Sequence, residues 1–302
     1  MKTIRIGNSD LQIKDYYCAR EHTYLSKEDG KLWLYVNITD VCPASCPFCV
    51  NPGRKCGSSP FNIIRYQETL KAIHKHVYGV SFTGGEPMME PILLDAAIGV
   101  THEIMGDTIE IDMATSGIHL ERIPDFKNLN YLDSIHISRH RINDADNREL
   151  MGRQVPSVKE IRALLERIDD PERVVFNCVL DRDGISTPEA MAAYLDMAAD
   201  IGVSNTSFIS MIPVNDYCRE HYVDPESFRL EQDSRFRIWN HFHDHDYCSC
   251  STGDYLGKQR KVRFYYRMPG KNRAPYVRQL VYEANNLLFA GFGGIKIELS
   301  FS

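Results

Sequence analysis

No stretch of the 302-residue sequence approaches the roughly 20 consecutive apolar residues that a bilayer-spanning helix requires, so no membrane partner is expected. Met1-Lys2-Thr3-Ile4-Arg5 is not followed by an apolar core, which argues against a secretory signal and for a cytoplasmic protein. Positive charge is in deficit: 35 Lys and Arg face 41 Asp and Glu, for a formal net charge of −6. With no long basic run, nucleic acid is disfavoured as a partner, and a neutral or cationic small substrate fits better. Tryptophan is scarce, and Trp33 and Trp239 read as packing residues. No internal repeat or low-complexity tract breaks the chain.

Cysteine is abundant instead. Cys18, Cys42, Cys46, Cys49, Cys56, Cys178, Cys218, Cys248 and Cys250 make nine. A reducing compartment disfavours disulfides, so clustered cysteines there point to metal or catalysis. Isolated Cys18, Cys56 and Cys178 read as small apolar residues without a chemical role.

Short apolar runs alternate with helical patterns. Candidate strands are Leu32–Ile38, Gly79–Thr83, Thr108–Ala114, Ser134–Ser138, Val174–Leu180 and Ser207–Ile212. Between them Val158, Ile161, Leu164, Leu165 and Ile168 recur at helical spacing, and Thr187-Pro188 reads as an N-cap with a first-turn proline. Six successive β–α units imply parallel strands, too few for a closed eightfold barrel, hence an α/β fold built on a partial (β/α)6 barrel. Beyond Pro213 the pattern changes. Pro225 to about Phe242 reads as helix, and His241 to Cys250 as a polar loop whose His241, His243 and His245 either ligate metal or are simply solvated. Strands are expected at Val262–Arg267, Val277–Tyr282 and Leu287–Phe292, the last two joined by an Asn285-Asn286 hairpin turn. The division expected is an arm over 1–29, the barrel over 30–215 and a smaller helix-plus-hairpin extension over 216–302.

The segment Asn37-Ile38-Thr39-Asp40-Val41-Cys42-Pro43-Ala44-Ser45-Cys46-Pro47-Phe48-Cys49 leaves a strand and enters a loop with C-x-x-x-C-x-x-C spacing. Three thiolates on one loop can hold three corners of an iron–sulfur cubane and leave the fourth iron open to a small molecule. Structural zinc is the competing reading, but it wants a fourth ligand at comparable spacing, and only Cys56 is nearby. Ser81-Phe82-Thr83-Gly84-Gly85-Glu86-Pro87 closes the next strand. Its glycines let backbone approach a neighbour closely, and its carboxylate suits an ammonium group.

At these residues the chain resembles the radical SAM superfamily, whose signature has an aromatic residue where Phe48 stands. The resemblance implies that Cys42, Cys46 and Cys49 bind a [4Fe–4S] cluster, and that Gly84, Gly85 and Glu86 receive the amino group of S-adenosylmethionine. It also implies cofactor contacts at Thr115-Ser116, Ser138-Arg139, Asn177 and Met211. The reduced cluster would cleave the cofactor to a 5′-deoxyadenosyl radical that takes a hydrogen atom from the substrate. A flavodoxin- or ferredoxin-type protein would supply the electron. Some members carry SPASM or twitch extensions with auxiliary clusters. Here Cys218, Cys248 and Cys250 fit that pattern incompletely, with C-x-C in place of C-x-x-C. An auxiliary cluster, a hydrogen-donating thiol at Cys248 or Cys250, and no chemical role remain open. His136, His140 and Arg141 either face the substrate or belong to a polar loop. The expected activity is epimerisation or oxidation of a small polar, sugar-like or aminoglycoside substrate in natural-product biosynthesis. A peptide- or RNA-modifying enzyme is the alternative within the family, and a non-enzymatic metal-binding sensor the alternative outside it.

Overall fold

A computed structural model describes residues 1–13, 31–50, 61–152, 154–244, 248–256, 258–267 and 276–300. Cys18, Cys56 and His245 lie outside the described residues, as do the side chains of Trp239, His241, His243 and Cys248.

Strands β1 (Lys2–Ile6) and β2 (Ser9–Ile13) form an N-terminal antiparallel hairpin. The barrel strands are β3 (Leu32–Thr39), β4 (Val77–Gly84), β5 (Glu110–Thr115), β6 (Ser134–Ser138), β7 (Val174–Val179) and β8 (Asn205–Ile209). All six pair in parallel, in sequence order. The connecting helices are α1 (Ile63–Ile73), α2 (Pro91–Met105), α3 (Asp144–Met151), α4 (Val158–Leu165) and α5 (Pro188–Ile201). Each begins where the sequence supplies a starting signal. Asn62 caps α1, Ser157 and Glu160 form a reciprocal capping box on α4, and Thr187 accepts from the Ala190 amide ahead of α5. The sheet does not close, and the architecture is a partial barrel.

Strand alternation sorts the side chains. Leu34, Val36, Ile38, Val80, Phe82, Ile111, Met113, Ile135, Ile137 and Phe176 join the core beneath the helices, where Tyr66 of α1 meets Phe82 and Tyr194 of α5 meets Phe176. The intervening Asn37, Ser81, Asp112, Ser134, His136 and Asn177 face the concave side.

The chain after Pro213 differs from its sequence reading. A short helix α6 (Asp216–Glu220) is followed by single turns at Pro225–Phe228 and Leu230–Gln232, with left-handed Arg229 between them. The expected helix ends there. Phe236, Ile238 and Phe242 recur every second or fourth residue, the period of a strand, and Phe236–Asp244 is β9. The segment read as a polar loop, His241 to Cys250, is instead the end of β9 and the start of β10 (Cys248–Tyr255), which pairs antiparallel with β9 and with β11 (Gln259–Arg267). Strands β12 (Gln279–Tyr282) and β13 (Leu288–Ala290) form the hairpin, with Asn286 at φ 67, and β14 (Ile295–Ile297) follows. β11 adds in parallel to β8 and β12 in parallel to β3, giving the order β14-β13-β12-β3-β4-β5-β6-β7-β8-β11-β10-β9. Among the described residues no helix is long and apolar enough to cross a membrane.

Candidate cluster and cofactor site

The loop after β3 is fixed from several directions. The Gly85 amide donates to the Thr39 carbonyl at 2.7 Å and the Glu86 amide to the Val41 carbonyl at 2.8 Å. The Ser45 amide reaches the Met151 carbonyl at the end of α3 at 2.8 Å, and Asn215 Nδ2 donates to the Pro47 carbonyl at 2.9 Å. Ala44 and Cys46 pack against Ile118, Met151 and Val155, while Phe48 stands edge-on to His140 with ring centroids 4.9 Å apart. Asn215 also caps α6, accepting from the Cys218 amide at 2.9 Å. Neither Met151 nor Asn215 carries a sequence signal, because each acts through one long-range contact.

Cys42, Cys46 and Cys49 are partly exposed thiols, none of them in a disulfide among the described residues. Burial, with Cys49, Cys42 and Glu86 close by, pushes the Cys46 thiol up to about 12. Sulfurs that oppose one another's ionisation need a cation to become thiolates together, and an iron–sulfur cluster supplies that charge. The donor set therefore fits the cluster.

The glycine pair serves this loop. A Cβ at Gly84, where φ is 130, would lie 2.5 Å from the Thr39 carbonyl oxygen, and one at Gly85 would lie 2.3 Å from that of Val41. The close neighbour is thus the backbone of the cysteine loop. Glu86 is fully buried. Its Oε1 accepts from the Met88 amide at 3.0 Å and Thr115 Oγ1 at 2.6 Å, and its Oε2 from the Ser116 amide at 2.6 Å and from Ser116 Oγ. Burial raises the carboxyl pKa, and the donors from Ser116 and Thr115 oppose the rise. Each oxygen already has two donors, so an incoming ammonium would have to displace one. Glu86 thereby ties the end of β4 to Thr115-Ser116 at the end of β5.

Ser138 and Asn177 are half-buried neighbours on β6 and β7, on the concave side. Arg139 turns the other way: its guanidinium, 1% exposed, pairs with Asp144 at 3.0 Å and donates to the Ile142 carbonyl at 2.7 Å. It anchors the turn into α3 instead of facing the cavity. Met211 is buried just past β8. His136 and His140 are buried beneath the concave surface, and Arg141 is paired with Asp181, which also accepts from the Tyr217 hydroxyl at 2.9 Å. His140 Nδ1 accepts from the Val179 amide at 3.0 Å, and burial with Arg141 adjacent pushes its pKa down to about 3. Its ring is neutral.

Sequence reading passed over Asn37. It is fully buried in β3, and neither its Oδ1 nor its Nδ2 has a hydrogen-bond partner among the described residues. A polar residue inside an otherwise apolar strand was the available signal. Among the C-terminal thiols, Cys218 is buried on α6 and Cys250 partly exposed on β10. In the backbone register Cys250 stands opposite Tyr265 and Cys248 opposite Arg267. Cys178 is buried in the core, its thiol pushed up by burial.

Two curated relatives align with parts of the chain. The PqqA peptide cyclase of Gluconobacter oxydans (strain 621H) is 26% identical over 185 residues, 58% of this chain and 49% of that protein. The GTP 3′,8-cyclase of Aquifex aeolicus (strain VF5) is 30% identical over 128 residues, 40% of this chain and 39% of that one. This chain spans no more than half the length of either. Streptococcus suis SuiB bound to S-adenosylmethionine superposes with a TM-score of 0.60 at 15% identity, covering 89% of this chain and 63% of its own, and shares the fold. Residues 36–195, from within β3 into α5, match the Radical SAM superfamily, and with that match the chain belongs to it, with a [4Fe–4S] cluster and S-adenosylmethionine as its cofactors.

Proposed function

We propose that this radical SAM enzyme modifies a peptide. The observation that carries the reading is the 185-residue alignment with a PqqA peptide cyclase, which takes in 58% of the chain. The sugar-like amine expected from net acidity and spare thiols has no comparable support.

Cys42, Cys46 and Cys49 would hold the cluster. Gly84, Gly85 and Glu86, with Thr115, Ser116, Ser138, Asn177 and Met211, border the cofactor, and Phe48 packs the loop from behind. Cluster and cofactor together supply reductive sulfonium cleavage and, through it, hydrogen-atom abstraction. The protein's own part is positional: backbone hydrogen bonds with Gly85, Glu86 and Met151, and one from the Asn215 side chain, hold the cysteine loop at the strand ends. Cys248 and Cys250, both in β10, either return hydrogen to the substrate radical or, with Cys218, ligate an auxiliary cluster.

The test is anaerobic. Reconstituted enzyme receives S-adenosylmethionine and reductant with short peptides encoded beside its gene, with GTP, or with an aminoglycoside. Peptide-stimulated 5′-deoxyadenosine release, with a change in peptide mass, is expected. Stimulation by GTP or the aminoglycoside with none by any peptide overturns the reading. Iron content of a Cys248→Ala, Cys250→Ala double variant separates the two roles of those thiols.

A further inference from the structure

Beneath the concave surface a polar chain crosses four adjacent strands. Ser81 Oγ on β4 donates to Asp112 Oδ1 on β5. Asp112 Oδ2 lies 3.9 Å from His136 Nε2 on β6, and Ser134 Oγ lies 2.9 Å from the same nitrogen. On the other side of the ring, His136 Nδ1 is 3.2 Å from Asn177 Oδ1 on β7. Ser81, Asp112 and His136 are buried, whereas Asn177 is half-exposed and its Nδ2 has no partner among the described residues.

Burying a carboxylate and an imidazole is costly unless each is hydrogen-bonded, and apolar side chains would fill this layer without that cost. What the chain achieves is an orientation. The asparagine amide has one accepting and one donating end, and only the end turned away from His136 faces the cavity. A carbonyl oxygen against Nδ1 requires a hydrogen on that nitrogen, with Ser134 Oγ hydrogen-bonded to Nε2 and Asp112, at 3.9 Å, beyond hydrogen-bond reach. With Nδ1 bare the amide would turn over and offer its oxygen to the cavity.

We infer that His136, seated on Asp112, is a positioning residue for Asn177. Its Nδ1 hydrogen holds the amide oxygen down and turns Nδ2 outward as a donor to an acceptor oxygen of the bound S-adenosylmethionine. This rests on the cofactor lying over Asn177, as proposed above.

Calorimetric titration of S-adenosylmethionine into cluster-reconstituted, unreduced protein reads affinity without turnover. In His136→Asn the new Nδ2 stands near the former Nδ1 and keeps the donor. In His136→Gln the longer amide reaches the Nε2 side and loses it. His136→Asn should bind like the parent, while His136→Gln and Asn177→Asp should bind about tenfold more weakly, the effect of one well-made hydrogen bond. Equal affinity of the two His136 variants, or the reverse order, overturns the inference. Absence of binding by the parent sinks the cofactor placement instead. If the His136 variants do not fold, nitrogen NMR of the histidine-labelled parent decides: hydrogen on Nδ1 supports the inference and a bare Nδ1 overturns it.

Discussion

On the helix-covered face of the sheet, Val36, Phe82, Ile135 and Phe176 lie in one continuous apolar core. One residue along each of those strands stand Asn37, Ser81, His136 and Asn177, on the opposite face. The first set carries the stability of the fold, since burial of such side chains contributes about 1.5–3 kcal/mol each. The second set costs stability wherever a polar atom lacks a partner, as at Asn37. One backbone thus separates a layer selected for packing from a layer selected for what it holds.

The contrast can be broken at four places. Cys46→Ala should abolish cluster assembly and cofactor cleavage while leaving the fold. Iron content and 5′-deoxyadenosine release measure this, and retained cleavage would remove the basis for the site. Phe82→Ala on the helix face should lose about 3–5 kcal/mol in urea unfolding, because a large buried ring leaves a cavity. A loss under about 1 kcal/mol would mean that this face is loosely packed.

His140 ties stability to pH. Its native pKa is held down to about 3 against an ordinary 6.5. Above pH 6.5 neither folded nor unfolded chain protonates it. As the pH falls below that, the unfolded chain takes a proton that the folded one refuses, so stability drops. His140→Asn keeps an acceptor for the Val179 amide without titrating, and melts between neutral and mildly acidic pH should show a shallower decline. An unchanged slope would clear His140 of this role. The smallest effect is expected at Asn37. Asn37→Leu removes both unpartnered polar atoms, so the cofactor-free protein should gain up to about 1 kcal/mol while S-adenosylmethionine binds more weakly. A clear loss of stability instead would show that the Asn37 amide is satisfied in solution.

Much of this two-faced design is legible in the sequence. Strands β3 to β8 show as apolar runs, and the cysteine loop and Gly84-Gly85-Glu86 fall at the ends of β3 and β4, as expected. The polar residues set into those runs, such as Ser81, Asp112 and Asn177, are the trace of the concave face, and their meaning emerges only when neighbouring strands are aligned. Arg139 was legible as a basic residue at a strand end but not in direction, because one step of alternation separates cavity from core. The C-terminal strands were harder. Cys-Ser-Cys-Ser-Thr-Gly has little β-branched content, and β10 is a strand because β9 and β11 flank it. The latches from Met151 and Asn215 are contacts between distant parts of the chain, which local patterning does not encode.

The parallel partner of β3 on its outer side is β12, whose Leu280 pairs with Leu34. The outer partner of β8 is β11, from the same late segment. During synthesis β3 therefore emerges long before the strand that covers its flank, and both margins of the parallel sheet stay open until β11 and β12 have left the ribosome. Folding of this enzyme is accordingly slow to commit and exposed to wrong pairing meanwhile, the expected behaviour of a topology dominated by long-range parallel contacts.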